Sequence, residues 1–352
     1  MPRVPRGATS AGGLGGPVEA PHLARRVLRG VLAIVLLVLG GCAWDTPQTS
    51  LVPRSDLTRE IQGLYGLITW AAVIIGVLVL GLITWILLRY RQRPGAPMPR
   101  QVRGHATLEL AWTIAPALVL LIIAVPTIQV IFRTQAPASP QALEIDVIGK
   151  QWWWEYRYPS LGVVTANELH VPAGRPVVVK LVGWDVIHSF WVPQIAAKRD
   201  VIPGRLNRIT FTADTPGTYW GQCAEYCGTS HANMMLRVMV DTPEHFDRWV
   251  QAQLAPPAEP AGLAAEGQAL YTTRACVGCH TIRGVSAGVL GPDLTHFGSR
   301  TTLAAGLFPN GPQTLAAWLK DPQAVKPGAK MPNLGLTDEQ ARALAAYLLS
   351  LK

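Results

Sequence analysis

Two cysteines, a histidine and a methionine lie within a stretch of twelve residues, a pattern that indicates a metal site. They are Cys223, Cys227, His231 and Met234, and His188 lies upstream. Thiolate, imidazole and thioether ligands together suit copper, with zinc as the competitor. Two thiolates can bridge a pair of copper ions, each completed by one histidine and one weak ligand. A structural zinc site or a disulfide between the two cysteines is the alternative, but neither explains the methionine or the distant histidine.

A second chemical motif is Cys276-Val-Gly-Cys279-His280. Cys-x-x-Cys-His is the signature of c-type haem attachment, in which both thiols bond to the haem and the histidine is an axial ligand. The second axial ligand is predicted to be Met331, the last methionine of the chain, which lies in a proline-flanked loop. His296 is the competing candidate. Methionine ligation raises the haem potential.

The composition points to a protein that is partly membrane-embedded. Of the 352 residues, 49% are hydrophobic and 15% charged, and the net charge is +9. The basic residues concentrate around apolar segments, where they set membrane orientation, and no basic and aromatic patch argues for a nucleic-acid partner. All five cysteines fall in three local motifs, so no disulfide framework is expected.

Residues 1–41 resemble a secretory leader, with a basic start and the short apolar run Val31–Leu39. The run ends in Leu-Gly-Gly-Cys42, which resembles a lipoprotein cleavage box. Cys42 is therefore predicted to become the lipid-bearing N-terminus, so that the chain would be a lipoprotein. The alternative is an ordinary signal peptide with an incidental cysteine.

Residues 56–133 are predicted to form a transmembrane hairpin. Ile61–Leu88 and Leu108–Phe132 are each long enough to cross a bilayer. The loop between them holds five arginines and no acid, so it should be cytoplasmic, with both ends of the hairpin in the periplasm. Glu109 lies at the cytoplasmic edge of the second span, as either a functional acid or a solvated side chain at the helix entrance.

Residues 134–249 change to short β-rich runs separated by Pro/Gly turns, which predicts an antiparallel sandwich or barrel. The runs are Leu143–Ile148, Val177–Val182, Leu206–Phe211, Gly217–Gln222 and Leu236–Val240. The metal motif should occupy the loop between the last two strands, with His188 on another loop at the same end. The tract Gln151-Trp-Trp-Trp-Glu-Tyr156 is either core packing, or it holds one exposed tryptophan over a redox centre as an electron-entry point.

Residues 250–262 are Pro/Ala-rich and predict a linker. Residues 263–352 then contain the haem motif and short helical segments. One of these opens with a capping box, Thr337 to Gln340, and continues with an apolar leucine stripe.

Taken together, these residues resemble subunit II of the haem-copper cytochrome c oxidases over about residues 56–250. The motifs that carry the resemblance are the two-span hairpin, Glu109-x-x-Trp112-Thr, Gln151-Trp152-x-Trp154, Asp185-Val-Ile-His188-Ser-Phe, Ile202-Pro-Gly-Arg-Leu-Asn207 and the Cys223–Met234 box. Residues 263–352 resemble the cytochrome c module that some bacterial forms carry at the C-terminus of this subunit.

The resemblance implies a multidomain membrane protein with a cupredoxin-like β-sandwich, which holds a binuclear CuA copper centre, and a small all-α cytochrome c domain. It implies that the two cysteines of the box bridge the coppers, and that His188 and His231 bind one copper each. It also implies weak ligation by Met234 and by the backbone carbonyl of Glu225. The Glu225 side chain could then reach a magnesium ion shared with subunit I.

For function, the resemblance implies electron flow from cytochrome c through haem c and CuA to subunit I. There oxygen is reduced to water and protons are pumped. Trp152 matches the family's electron-entry aromatic residue, and Glu109 matches the acid at the mouth of a proton channel. The expected location is the bacterial inner membrane, crossed more than once, with the copper and haem domains in the periplasm beside subunit I and the other oxidase subunits.

Other functions remain open at this point. A CuA-bearing subunit of a nitric oxide reductase would have the same relay chemistry with another partner, although Glu109 favours the oxidase. A membrane-anchored copper-delivery or thiol-redox protein would not need both the distant His188 and a haem module. A quinol oxidase subunit would lack the copper ligands.

Overall fold

The computed structural model describes residues 29–30, 33 and 46–352. The predicted lipid-bearing Cys42 and nearly all of the predicted leader, residues 1–41, lie outside the described residues. The elements that position the candidate sites all lie in the unit formed by Pro47–Lys352.

The middle of this unit is a sandwich of two five-stranded sheets. The first sheet has the order β3-β2-β1-β5-β8, and the second has the order β4-β10-β9-β6-β7. The strands are β1 (Leu143–Lys150), β2 (Trp153–Tyr158), β3 (Val163–Ala166), β4 (Glu168–Pro172), β5 (Val177–Gly183), β6 (His188–Val192), β7 (Ala196–Val201), β8 (Asn207–Phe211), β9 (Gly217–Cys223) and β10 (Met235–Asp241). All five predicted runs are strands, and the structure adds others between them.

Side-chain alternation explains why these segments form a sandwich. In β1, Leu143, Ile145 and Val147 are buried, whereas Glu144 is exposed. Successive side chains of a strand point to opposite faces, so one face of each sheet is apolar and packs against the other sheet. The sandwich is not purely antiparallel, because β1 pairs in parallel with β5 and β10 pairs in parallel with β4. Parallel neighbours require a crossover, and the intervening chain supplies it.

Two long apolar helices precede the sandwich, α1 (Asp56–Arg89) and α2 (Ala106–Thr134). Each is long and apolar enough to cross a membrane. Their apolar side chains are largely exposed, as expected for surfaces that face lipid rather than a protein core. Both helices extend beyond the apolar runs of the sequence, because polar residues cap their first turns.

The start of α1 is anchored to the sandwich. Ser55 and Thr58 form a capping box, which satisfies backbone donors of the first turn. The Ser55 hydroxyl also donates to the Ile195 carbonyl at 2.7 Å, and the Thr58 hydroxyl donates to that of Gln194 at 2.9 Å. The hairpin is therefore joined to the sandwich by buried hydrogen bonds.

The C-terminal part is a small helical domain with a core of its own. Helix α3 (Pro243–Leu254) still packs on the sandwich. The helices of the C-terminal domain are α4 (Leu263–Thr273), α5 (Cys276–Cys279), α6 (Pro312–Lys320), α7 (Pro322–Val325) and α8 (Asp338–Ser350). The predicted capping box at Thr337 and Gln340 opens α8. Four short strands, β11 (Thr281–Ile282), β12 (Ser286–Ala287), β13 (Thr302–Leu303) and β14 (Phe308–Pro309), form two small hairpins.

The segment predicted as a linker is partly helical. Helix α3 continues to Leu254 because Val250 and Gln253 are buried on one of its faces. Only residues 255–262, where the prolines begin, lie outside helices.

Candidate metal centre

Three separate segments position the predicted copper ligands. Cys223 is the last residue of β9, and its amide donates to the Met234 carbonyl at 2.8 Å, which closes the loop just before β10. Cys227 and His231 lie within that loop, as predicted. His188 was predicted on a loop, but it is the first residue of β6 and pairs with Val201 of β7. A ladder position fixes its backbone more firmly than a loop would.

The six predicted donor atoms face a common space. The two cysteine sulfurs lie 3.8 Å apart. Nδ1 of His188 is 3.9 Å from the Cys223 sulfur, and Nδ1 of His231 is 3.6 Å from that of Cys227. The Met234 sulfur lies 3.9 Å from the Cys227 sulfur, and the Glu225 carbonyl oxygen lies 3.2 Å from that of Cys223. Each cysteine therefore has its own histidine and its own weak donor.

This donor set fits copper better than zinc. A structural zinc ion takes four cysteine or histidine ligands, and here a thioether and a carbonyl converge on the same space. Soft sulfur and imidazole ligands favour copper. The paired arrangement, with two central sulfurs and one imidazole on each, suits two thiolate-bridged ions.

The two thiols ionise unequally. The hydrogen bond from the Cys227 thiol, together with His188 and nearby backbone groups, lowers the pKa of Cys223 despite its burial. The neighbouring Cys223 sulfur and burial raise the pKa of Cys227. The pair therefore loses one proton easily and resists losing the second, because two adjacent negative sulfurs repel each other. Bound cations remove that repulsion, which is a further reason to expect a metal here.

A carboxylate orients His188. Oδ1 of Asp185 lies 2.9 Å from Nε2 of His188, so the other ring nitrogen, Nδ1, faces the sulfurs. Burial acts to lower the pKa of His188, but the hydrogen bonds and negative charges of Asp185 and Cys223 together outweigh burial and raise the pKa of the imidazole. Conversely, burial would raise the pKa of Asp185, but hydrogen bonds from His188 and from the amides of Gln151 and Val186 lower it well below its usual range. Such carboxylate partners hold metal-binding histidines in place.

Two residues contact the site although the sequence analysis gave them no role there. At Gly149, a Cβ atom would lie 2.8 Å from the His188 ring, so only glycine leaves room for the imidazole. The Gln151 side chain donates to the Cys227 carbonyl at 2.8 Å. Gly149 lies in β1 of the other sheet, so local spacing carries no signal for it.

The aromatic tract is packed rather than exposed. Trp154 is fully buried and makes edge contacts with His188 and Phe190. Trp152 is 8% exposed, and its indole N–H donates to the Cys227 carbonyl at 3.0 Å. Trp152 therefore touches the metal loop, as an electron-entry residue would, but has little free surface.

The haem motif lies at a short helix of the C-terminal domain. Cys276 and Cys279 begin and end α5. The next residue, His280, donates from Nδ1 to the Pro292 carbonyl at 2.8 Å, which leaves Nε2 free for an axial bond. Burial lowers the pKa of His280, so the imidazole is neutral, as a metal ligand must be. A Cβ at Gly291 would lie 2.5 Å from the imidazole ring, so this glycine lets the chain pack against it.

The competing axial residues have different surroundings. Met331 is half-buried and packs against the core of this domain. His296 is 4% exposed, and burial lowers its pKa. Met331 remains the predicted second ligand.

Two other predicted residues lie at exposed positions. Glu109, in the first turn of α2, accepts a hydrogen bond from the His105 amide at 3.2 Å. The Glu225 side chain is exposed beside the metal loop. Both carboxylates are therefore accessible to a partner.

Comparison with known proteins assigns all three parts of the chain. Residues 51–130 match the cytochrome c oxidase subunit II transmembrane domain, residues 160–241 match its periplasmic domain, and residues 264–352 match cytochrome c. These matches imply a CuA site and a haem. They confirm the predicted combination of two apolar helices, a β-sandwich and a C-terminal cytochrome c domain in a membrane protein with a periplasmic domain.

Two relatives cover nearly the whole chain, and a solved structure covers its periplasmic domain. Cytochrome c oxidase subunit 2 of Alkalihalophilus pseudofirmus is 35% identical over 91% of this chain and 96% of its own length. The Bacillus subtilis subunit 2 is 32% identical over 92% of this chain and 96% of its own. The periplasmic domain of subunit II of the Bradyrhizobium japonicum cytochrome oxidase, known from a crystal structure, is 34% identical in sequence. The match covers 34% of this chain and 97% of the crystallised chain, with a TM-score of 0.32. The chain thus belongs to the cytochrome c oxidase subunit II family.

Proposed function

We propose that this chain is the electron-entry subunit of an aerobic respiratory cytochrome c oxidase. Its haem c takes electrons from a cytochrome c, and its CuA centre passes them to subunit I, where oxygen is reduced to water and protons are pumped. The observation that carries the proposal is the convergence of the Cys223, Cys227, His188 and His231 donor atoms, with a weak donor on each side. A cytochrome c domain in the same chain supplies the upstream carrier.

The residues proposed to hold copper are the two bridging cysteines, His188, His231, Met234 and the carbonyl of Glu225. Haem c would be bonded to Cys276 and Cys279, with His280 and Met331 as axial ligands. When bound, each group accepts and releases a single electron at a time.

The protein's own contribution is to fix the positions of these ligands and to exclude water from them. Cys223 and His188 lie in paired strands of one sheet, and both are buried. The Asp185 carboxylate holds the His188 ring, while Trp152 and Gln151 hold the Cys227 carbonyl. Ligands fixed in this way move little when charge changes, which favours electron transfer over ligand exchange.

Several further roles belong to the same proposal. Glu109 is proposed to admit protons to a channel in subunit I, and Glu225 to bind magnesium at the boundary with that subunit. Cys42 is proposed to carry a lipid. The complex would lie in the bacterial inner membrane, with the copper and haem domains in the periplasm and with subunit I and the other oxidase subunits as partners.

Oxygen uptake tests the proposal. The purified complex should consume oxygen when reduced cytochrome c is supplied, and Cys227→Ser should abolish nearly all of this uptake while the haem c spectrum remains. The matched control is Thr218→Ser, on an exposed part of β9, which should retain uptake. Consumption of nitric oxide in place of oxygen, or full activity of Cys227→Ser, would contradict the proposal.

A further inference from the structure

The cytochrome c domain is held against the sandwich by buried polar contacts. The central one is Glu168 of β4, which is 2% exposed. Its Oε1 accepts hydrogen bonds from the amide and hydroxyl of Thr301, at 2.9 and 2.8 Å, and from those of Thr302, at 2.7 and 2.6 Å. Hydrogen bonds to a buried charged group are stronger than neutral ones. All four donors belong to the cytochrome c domain, so these hydrogen bonds of the carboxylate join the two domains.

A second set of contacts follows along β10. The Met235 amide donates to the Ala305 carbonyl at 3.1 Å, and the Arg237 guanidinium donates to that of Gly306 at 2.9 Å. The guanidinium also lies 3.5 Å from the centre of the Trp220 ring. Arg237 faces Glu168 in the strand pairing, so the two contact sets are continuous. Residues 301–306 of the cytochrome c domain are therefore bound by both a cation and an anion.

A third set lies over the metal loop. Lys326, which is 4% exposed, donates to the carbonyl of Trp152 at 2.6 Å and to that of Ala304 at 3.1 Å. The Ser230 hydroxyl donates to the Pro327 carbonyl at 2.5 Å. At Gly328, which has φ +82°, a Cβ would lie 3.3 Å from the Trp152 ring. The segment 326–328 therefore lies directly on Trp152.

The residues that follow this segment contact Asp185, the hydrogen-bond partner of the proposed copper ligand His188. Lys330 pairs with Asp185 at 3.5 Å, and Asp185 binds His188. Lys330 precedes Met331, the proposed axial ligand of haem c. Only two side chains, those of Lys330 and Asp185, therefore lie on the path from the proposed haem ligand Met331 to the proposed copper ligand His188.

We propose that Glu168 and Lys326 are positioning residues that hold the cytochrome c domain with segment 326–331 on Trp152, so that outside donors reach the copper centre only through haem c. This inference rests on the proposed function. It assigns Trp152 to an internal contact between the two centres, because the chain's own cytochrome domain covers the ring that an external cytochrome would otherwise use.

The test uses the full-length chain in its assembled complex. Glu168→Gln keeps the side-chain shape but loses the charge and part of the acceptor capacity. It should make hydrogen exchange at the Met235 amide roughly tenfold or more faster, since that amide reports opening of the interface. Glu144→Gln changes an exposed acid of the same sandwich and should leave exchange unchanged. Thr302→Val should act in the same direction as Glu168→Gln, and the two effects should not be additive.

A functional measurement follows from the same variants. After pulsed reduction of haem c, the double variant Glu168→Gln, Lys326→Met should pass electrons to copper more slowly, roughly tenfold or more, with the haem potential and copper spectrum unchanged. Unchanged exchange and transfer rates would overturn the inference, and so would loss of either spectrum, which would assign these residues to folding. Absence of the copper-pair or haem spectrum from the unmodified chain would instead overturn the proposed function.

Discussion

At the scale of single residues, Asp185 contacts both the candidate metal centre and the cytochrome c domain. Its carboxylate binds Nε2 of His188 and pairs with Lys330 of the cytochrome c domain. It also accepts the amides of Gln151 and Val186. These bonds fix the carboxylate before any metal binds, so His188 presents Nδ1 to the sulfurs without reorganisation. Preorganisation of this kind is what a metal ligand requires from its surroundings.

The second haem ligand is a residue-scale question that one substitution answers. Met331→His should lower the reduction potential of haem c by a measurable part of the roughly 0.8 V range that axial ligands control. The reason is that a thioether stabilises reduced haem more than an imidazole does. Redox titration of the haem absorbance measures the change, and the Cys-linked haem should be retained.

Met239→Leu is the control for this substitution, because it changes a methionine on β10 of the sandwich. It should leave the potential unchanged. If Met331→His also leaves the potential unchanged, the axial role passes to His296.

At the scale of elements, the metal loop is short and held at both ends. It leaves β9 at Cys223 and enters β10 after Met234, and these strands pair in register from Met235 with Gln222 to Val240 with Gly217. The neighbouring β6 pairs with β9 through Phe190 and Cys223, two residues from His188. Three adjacent strands therefore set the distances among the ligands, and the loop has little freedom to change them.

The cytochrome c domain depends on a close helix crossing in the same way. At Gly267 of α4, a Cβ would lie 2.0 Å from the Ala343 carbonyl oxygen of α8 and 2.7 Å from the Tyr347 Cβ. Gly267→Ala should therefore push the helices apart and reduce the free energy of unfolding of this domain by about 1–3 kcal/mol. The clash outweighs the gain in helix propensity, because a backbone atom cannot move aside.

Denaturant unfolding followed by haem absorbance measures this effect. Thr272→Ala, at an exposed position of the same helix, is the matched control and should change the free energy by no more than about 0.5 kcal/mol. Equal stability of the Gly267→Ala protein would show that α4 and α8 do not cross so closely.

The same elements show what can be predicted from the sequence. The two apolar helices, five strands and the ligand box follow from periodicity and spacing, which are local properties. The position of His188 in a strand, the need for glycine at position 149 and the partners of Glu168 all depend on segments far apart in the sequence. Glu168 in particular looks like an ordinary surface acid, because its partners Thr301 and Thr302 lie in another domain.

At the scale of the whole molecule, the chain joins a membrane hairpin, a copper domain and a haem domain in fixed order. The first helix is bonded to the sandwich through Ser55 and Thr58, and Arg59 pairs with Asp214. The cytochrome c domain is bonded to the sandwich at β4 and β10. Both neighbours of the sandwich are therefore held by specific contacts, and for the cytochrome c domain these contacts add to the covalent connection through the linker at 255–262.

This arrangement predicts the cofactor content of the chain. Full-length protein purified in detergent, without subunit I, should contain twice as much copper as haem iron, because the six donors suit a copper pair and Cys-x-x-Cys-His binds a single haem. Metal analysis with haem quantification measures the ratio. Cys223→Ser should remove copper and leave haem, whereas Cys279→Ala should weaken haem attachment and leave copper. Equal amounts of copper and iron, or zinc in place of copper, would contradict the paired centre.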